Sequence, residues 1–170
     1  PTALLVSQGS TNSLRVADKQ GRLRRFAGLA GLAELAEIAQ PFLVYLPQQD
    51  SRCFVDAVDF VVADPLAAHA PGVGHVVMVT DLAVFEFTSA GARALSRHPG
   101  VTHEQLRERT PAGVAVGSVP YTAKPDAALL QRLRTQIDPH RVRDIEFASG
   151  PARRDALLRL YEREAAAPLR

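Results

Sequence analysis

Short runs of apolar residues mark the predicted β-strands of this chain, and the clearest run lies near its middle. Residues 75–80 are valine-rich and almost free of polar alternation, which is typical of a strand that is buried on both faces. Asp81 interrupts the run, a second strand is predicted at 83–88, and a shorter extended segment follows at 92–97. We therefore expect a sheet in which the strand at 76–80 is central.

The sequence after this sheet region contains a clear helix start. Thr102 can cap the helix N-terminus, and Gln105, three residues later, completes a capping box. Val101 and Leu106 stand at the positions of a hydrophobic staple. These signals predict a helix that begins after Thr102 and ends near Arg109.

Weaker patterns predict further elements on both sides of this region. Apolar runs between turn residues indicate strands at 3–6, 13–16, 42–46, 53–55 and 58–62. Helical spacing of leucine and isoleucine, together with capping signals, indicates helices at 32–40, 126–137 and from about residue 150 onwards.

Composition and charge narrow the class of protein. The chain has 170 residues, the length of one domain, and 46% of them are hydrophobic, with no run long enough to span a membrane and no signal-peptide pattern. Cys53 is the single cysteine, so no intrachain disulfide can form and a reducing, cytoplasmic location is predicted. We expect no membrane association.

The charged residues do not indicate nucleic-acid or metal binding. There are 20 basic and 18 acidic residues, and the arginines after residue 132 are interleaved with carboxylates, which is typical of a solvated helical face. The five histidines show no metal-ligand spacing. Asp56 and Asp59 form a possible carboxylate pair, but strand alternation favours a structural role for them.

Two glycines precede the helix predicted at 32–40. Gly28 and Gly31 would leave backbone N–H groups exposed at the positive end of that helix, an arrangement suited to an anion or a developing oxyanion. The alternative is a purely structural turn, because glycines are common before helices. Gly28 and Gly31 are nevertheless our candidate ligand-binding residues.

Two segments resemble a known enzyme family. VTDLAVFEF at 79–87 and HPGVTHEQLRERT at 98–110 together resemble the β subunit of family I coenzyme A transferases, such as glutaconate and 3-oxoacid CoA-transferases. Residues 129–146 resemble the C-terminal portion of glutaconate-type β subunits. The same segment also resembles a related group that acts on ring-fused CoA thioesters in steroid breakdown.

The resemblance implies a fold and an assembly. It implies an α/β fold with an open, mostly parallel sheet flanked by helices and followed by C-terminal helices. Residues 1–146 would form the C-terminal portion of the β-subunit domain, and residues 147–170 a helical extension. It also implies a hetero-oligomer with a CoA-transferase α subunit, with the active site near the boundary between the subunits.

The resemblance also bears on the glycine loop. Related β subunits carry a denser glycine loop that contributes to the thioester site, and Gly28 and Gly31 match two of its glycines. Ala27, Leu29 and Ala30 replace other members of that loop, and alanine and leucine resist the positive φ that glycine accepts.

In the family, a β-subunit glutamate attacks the acyl-CoA thioester, and a glutamyl-CoA intermediate then transfers CoA to an acceptor acid. That glutamate lies upstream of the glycine loop, in an N-terminal part that this chain does not contain. Glu34 and Glu37 follow the loop and do not match it. We therefore assign no catalytic residue, no metal and no cofactor, the CoA thioester being a substrate. We expect either a fragment of a longer subunit or a truncated homologue.

Three functions stay open at this point. The first is the β portion of a CoA transferase that acts on acyl-CoA and carboxylic acids, inactive as the isolated chain. The second is a subunit of a related hydrolase that opens a ring of a CoA thioester with water. The third is a non-catalytic partner protein.

Overall fold

A computed structural model describes residues 5–7, 10–12, 15–18, 20–28, 30–69 and 73–166. The chain forms two compact units, which divide between Thr122 and Ala123. The family resemblance predicts a different division, in which the β-subunit domain ends at residue 146 and a helical extension begins at residue 147. That division stays a prediction.

Nine strands are found among the described residues of the first unit. Two antiparallel pairs come first, β1 with β2 and β3 with β4, and the other five strands form one sheet in the order β5-β6-β7-β8-β9. The strands are β1 Leu5–Ser7, β2 Ser10–Asn12, β3 Arg15–Ala17, β4 Leu23–Arg25, β5 Phe42–Leu46, β6 His75–Thr80, β7 Ala83–Thr88, β8 Gly91–Arg97 and β9 Val114–Ala115.

The five-stranded sheet is mixed. β5 pairs with β6 and β8 with β9 in parallel, whereas β6 pairs with β7 and β7 with β8 in antiparallel orientation. Short turns join β6 to β7 and β7 to β8, and only antiparallel neighbours can be joined so tightly. The α/β class and the predicted strands at 76–80, 83–88 and 92–97 are confirmed. The sheet is mixed rather than mostly parallel, and β6 is an interior strand next to the middle strand β7.

One face of this sheet carries the hydrophobic core. Met78, Phe85 and Phe87 are fully buried there, and the ring of Phe54 packs edge-on against Phe85 with centroids 5.3 Å apart. Leu106, also fully buried, belongs to the helix that packs on this face. Alternate side chains of each strand therefore supply the core.

The opposite face of the sheet is open in the described part of the chain. Leu43 is 70% exposed and Val79 is 36% exposed, so the prediction that the strand at 75–80 is buried on both faces is wrong for this chain. At one end of the open face, Glu86 accepts from Arg93 at 2.9 Å and lies 3.0 Å from Nε2 of His75. The open face is thus apolar around β5 and β6 and ionic where these three residues meet.

Two helices belong to the first unit, α1 Leu32–Ile38 and α2 His103–Glu108. The predicted capping box of α2 is confirmed, because Thr102 Oγ1 accepts from Gln105 N at 3.1 Å and Thr102 N donates to Gln105 Oε1 at 2.9 Å. Val101 is half-buried against the core, as the predicted staple requires.

The second unit is helical. It contains α3 Ala127–Arg132, which continues as a π-helical segment Leu133–Ile137, then α4 Asp144–Phe147 and α5 Gly150–Ala166. Asp126 caps α3 by accepting from Leu129 N at 2.8 Å. None of the helices in the described part of the chain has both the length and the apolar character needed to cross a bilayer.

Candidate functional site

The two predicted ligand-binding glycines adopt the conformation that only glycine takes up readily. Gly28 has φ 78° and Gly31 has φ 77°, both in the left-handed region. Gly31 is the N-cap of α1, where its carbonyl accepts from Leu35 N at 2.8 Å. Ala30 is exposed between them, and Leu29 lies outside the described residues.

The electrostatics of this loop are mixed. Because Gly31 has no side chain to cap α1, N–H groups of the first turn are left for solvent or a ligand. Glu34, however, lies in that first turn. Its carboxylate interacts favourably with the positive end of the helix dipole but would repel a bound anion. Glu34 and Glu37 are both exposed on α1. The left-handed conformations of Gly28 and Gly31 fit a loop with or without a ligand, and their role in ligand binding stays a prediction.

A second feature, which was not predicted from the sequence, is a cleft at the carboxyl end of β5. It has a volume of about 620 Å³ and lies between residues of the 48–56 loop and residues 108–112. Neither Gly28 nor Gly31 lines it. In open α/β sheets, ligands commonly bind outside the carboxyl ends of strands, so the position suits a binding site.

Gln49 is fully buried and hydrogen-bonds to two of the residues that line this cleft. Its Nε2 donates to the carbonyl of Arg109 at 3.1 Å and to Oγ1 of Thr110 at 3.0 Å. Its Oε1 accepts from the hydroxyl of Thr80 at 2.8 Å, and its backbone N–H donates to Asp81 at 2.6 Å. One side chain therefore joins the ends of β5, β6 and α2.

The carboxylates near the cleft have separate structural partners. Asp56 accepts from the backbone N–H of Ala112 at 3.2 Å, whereas Asp59 accepts from that of Ala17 at 2.9 Å. Asp50 accepts from Arg52 at 2.6 Å, and this hydrogen bond holds the pKa of Asp50 below its usual value. Asp56 and Asp59 each hold a different backbone segment, which agrees with the structural role favoured for them.

Cys53 and His98 do not form a catalytic group with the residues that the structure describes. Burial raises the pKa of the Cys53 thiol, which keeps it in the less nucleophilic protonated form. His98 Nε2 lies 3.0 Å from the carbonyl of Thr80 and donates to it, and its Nδ1 lies 3.0 Å from Thr122 Oγ1. Ser96 Oγ lies 2.8 Å from the same hydroxyl. His98 is thus a structural link between strand ends.

The lining of the cleft suits recognition of a polar ligand. Ser51, Glu108 and Arg109 present exposed hydrogen-bonding groups beside it. The sequence contained one signal for this cleft, the polar pair Thr80-Asp81 at the end of an apolar strand. Its contact with Gln49 spans 31 and 32 residues, a separation that local patterns do not encode.

Comparison with known proteins gives no matching family model. Among curated proteins, the chain is 33% identical over 118 residues to the cholesterol ring-cleaving hydrolase IpdB subunit of Rhodococcus jostii strain RHA1. The match covers 64% of this chain and 46% of that protein. The chain thus spans about half the length of the curated relative.

Solved structures give a broader match. The chain is similar to the decarboxylase AibA/AibB, with 30% identity and a TM-score of 0.69, and to the R. jostii IpdAB structure, with 28% identity and a TM-score of 0.69. These matches cover 84% of this chain and 57% and 61% of the respective chains.

The glutaconate coenzyme A-transferase of Acidaminococcus fermentans has 22% identity to this chain and a TM-score of 0.65. That match covers 82% of this chain and 58% of the transferase chain, and identity at this level shows the fold alone. The fold that the sequence motifs predicted is confirmed by these neighbours.

Proposed function

Because the chain has the fold of the β subunits of family I coenzyme A transferases, we propose that it is part of a β subunit that acts on coenzyme A thioesters. The fold match over 82–84% of the chain is the observation that carries this proposal. Unrelated chemistries share folds, so the fold alone does not identify the reaction. The neighbours themselves include a transferase, a hydrolase and a decarboxylase.

The first candidate reaction is CoA transfer. A carboxylate of the enzyme attacks the thioester carbonyl, and CoA leaves as the thiolate to give a mixed anhydride. The thiolate then attacks the enzyme-side carbonyl of the anhydride, which expels the donor acid as a carboxylate and leaves an enzyme-bound CoA thioester. The acceptor carboxylate takes up CoA by the same two steps in reverse, which regenerates the enzyme carboxylate. The N–H groups around Gly28 and Gly31 would stabilise the thioester oxyanion. Glu34 and Glu37 are poor nucleophile candidates because both are exposed on the surface of α1.

The second candidate reaction is hydrolytic ring opening of a CoA thioester, which the 33% identity to the IpdB subunit favours. Here water adds to a ring carbonyl, the neighbouring carbon–carbon bond breaks, and the water oxygen remains in the new carboxylate. A proton passes to the released carbon. This reaction needs no acyl acceptor and no transfer of CoA.

A partner subunit is part of the proposal. AibA/AibB and IpdAB are two-component proteins by name, and we propose that this chain likewise works with an α subunit. The single cysteine supports the cytoplasm as the compartment. Residues 1–146 would belong to the shared domain and residues 147–170 to an extension.

A first experiment tests the covalent step in the isolated chain. The purified chain is incubated with acetyl-CoA, trapped with borohydride and analysed by mass spectrometry. We expect no adduct, because Glu34 and Glu37 are exposed on α1 and do not match the nucleophilic glutamate of the family. A modified Glu34, Glu37 or other carboxylate would contradict this and would locate the nucleophile.

A second experiment separates the two reactions and the non-catalytic alternative. The chain is co-purified with a candidate α subunit and assayed for CoA exchange between acetyl-CoA and glutaconate, and for ¹⁸O incorporation from labelled water into a ring-fused CoA thioester. Exchange supports transfer and ¹⁸O incorporation supports hydrolysis. A stable complex that does neither supports a non-catalytic partner.

The glycine loop can be tested by binding. Gly31→Ala forces a left-handed alanine at the loop, and Gly21→Ala does the same in a hairpin turn, where φ is 74°. Neither added methyl group meets another atom within 4 Å, so the strain cost is matched at about 1–2 kcal/mol. Weaker CoA-thioester binding by Gly31→Ala alone supports the loop as the site, whereas equal affinities would contradict it.

A further inference from the structure

The second unit contains a cleft whose charged lining is mostly arginine. The cleft has a volume of about 270 Å³ and lies between the 140–145 segment and one face of α5. Its charged side chains are one carboxylate and three guanidinium groups, those of Asp144, Arg141, Arg159 and Arg163. The cleft is therefore formed within one unit and carries an excess of positive charge.

The single carboxylate does not neutralise this excess, because Asp144 already pairs with arginines of its own segment. Its Oδ2 lies 2.5 Å from Nη2 of Arg141, and its Oδ1 lies 3.9 Å from Nε of Arg143. The positive charges of Arg159 and Arg163, on the α5 side of the cleft, are left uncompensated.

Arg159 and Arg163 form no ion pair or side-chain hydrogen bond with any residue that the structure describes. They are four residues apart on α5, so both side chains project from one face, where like charges repel each other. Asp155, four residues before Arg159, has the spacing of an ion-pair partner, yet the structure shows no such pair. Two unpaired guanidinium groups that line one cleft indicate an anionic ligand.

The segment on the other side of the cleft is held in place by Asp138. Its carboxylate accepts from the backbone N–H of Val142 at 2.7 Å and from Nη1 of Arg143 at 2.6 Å. Arg141, between them, has φ 59°, a left-handed conformation that is uncommon for a residue other than glycine. Because these contacts exist without a ligand, little ordering of the segment is required for binding.

An apolar cavity of about 600 Å³ adjoins the basic cleft. Leu160 and Arg163 line both, and the apolar cavity is also lined by Val142, Leu157 and Tyr161. Tyr161 is 61% exposed, which leaves its ring accessible to a bound molecule. A ligand that fits both cavities has an anionic group joined to an apolar or aromatic ring.

We propose that the second unit binds a small organic phosphate, with the phosphate at Arg159 and Arg163 and the attached ring beside Tyr161. The planar guanidinium group donates two parallel hydrogen bonds to phosphate oxygens, which a single ammonium group does not match. Nucleotides combine such a phosphate with an aromatic base that stacks on tyrosine. The site lies wholly within the second unit, and the inference does not rest on the reaction proposed above.

The first test is calorimetric titration of the full chain with 5′-AMP, at about 0.15 M ionic strength, where distant charges are screened. Arg159→Gln and Arg163→Gln should each weaken binding by about tenfold or more, the effect of losing a charged hydrogen-bonding partner. Arg154→Gln removes the same charge from an exposed position of α5 that lines neither cavity. This matched control should leave the affinity unchanged.

The second test separates the phosphate from the ring. Ribose 5-phosphate and inorganic phosphate lack the base and should bind more weakly than 5′-AMP. Tyr161→Ala should weaken the binding of 5′-AMP by about fivefold or more, because it removes the stacking surface, and should leave ribose 5-phosphate unaffected.

A third test needs no substitution. Phenylglyoxal modifies accessible arginines, and mass spectrometry locates the modified residues. In the wild-type chain, 5′-AMP should protect Arg159 and Arg163 and leave the modification of Arg154 unchanged.

Several outcomes would overturn the proposal. They are absence of 5′-AMP binding at millimolar concentration, an equal loss of affinity in Arg154→Gln, and equal protection of all three arginines. Inorganic phosphate that binds as tightly as 5′-AMP would show an anion site without a place for the ring. Binding only to duplex DNA, or only to vesicles that contain phosphatidic acid, would show that a macromolecule or a membrane presents the phosphate instead.

Discussion

The two faces of the five-stranded sheet are built from alternate residues of the same strands, yet one face is buried and the other is exposed. On one face Met78, Phe85 and Phe87 are fully buried, whereas on the other Leu43 and Val79 are exposed. Both faces are largely apolar near β5 and β6, so hydrophobicity alone does not decide burial. What differs between the faces, among the described residues, is that Leu106 of α2 and Phe54 pack on the face that carries the core.

The largest contrast between the faces is expected from cavity-forming substitutions. Phe85→Ala removes a fully buried ring and should lower the free energy of unfolding by about 3–5 kcal/mol. Val79→Ala, on the open face, should cost well under about 1 kcal/mol. Urea unfolding measures both, and equal losses would mean that the open face is covered in solution.

The next largest effect on stability is expected from Gln49, at the polar end of the core face. Gln49→Met keeps the side-chain volume but leaves the hydroxyl of Thr80 and the carbonyl of Arg109 without their Gln49 partner. Because the Thr80 hydroxyl can still donate to the carbonyl of Ala83, 3.2 Å away, stability should fall by about 0.5–1.5 kcal/mol for each hydrogen bond that Gln49 no longer makes. Gln48→Met, at the exposed neighbouring position, is the control; a loss as large there would remove Gln49 from its structural role.

The helix that covers the core face should respond to loss of its cap. Thr102→Ala removes the acceptor for Gln105 N and should cost about 1 kcal/mol. Thr102→Ser keeps that acceptor and should restore most of the stability. No measurable change in Thr102→Ala would show that the helix starts elsewhere.

The smallest effect is expected from the ionic cluster on the open face. The hydrogen bond from Arg93 lowers the pKa of Glu86, so its contribution to stability is present above the ordinary glutamate pKa of about 4.3 and is lost as the pH falls below it. Glu86→Gln should flatten that part of the stability–pH curve, with an effect within about 1 kcal/mol at neutral pH. Unfolding midpoints from neutral to acidic pH check this; an unchanged curve contradicts it.

Local sequence signals predicted the elements well where a short-range mechanism exists. The capping box of Thr102 and Gln105 needs only three residues of context, and the strand at 76–80 needs only its own apolar run. The motif resemblance supplied the fold. Strand orientation was less accessible, because the short β6–β7 and β7–β8 turns had to be recognised as hairpins.

Features that depend on contacts between distant residues could not be predicted from the sequence. The cleft near Gln49 depends on hydrogen bonds that join residues 31 to 61 positions apart. The open face was mispredicted because an apolar run reports hydrophobicity and not what packs against it. The functional roles of Gly28 and Gly31 stay predictions, since their backbone conformation fits a loop with or without a ligand.

The hydrogen bonds around Thr122 have a practical consequence for how this polypeptide can be divided. Thr122 N donates to the carbonyl of Arg97 at 2.7 Å, its hydroxyl meets His98 and Ser96, and the Arg97 guanidinium stacks 3.7 Å from the Tyr121 ring centre. The last residues of the first unit are therefore held against the end of β8 by these hydrogen bonds and this stacking contact. A chain truncated after residue 122 would keep the residues that make all of these contacts, whereas one truncated after residue 118 would lose them.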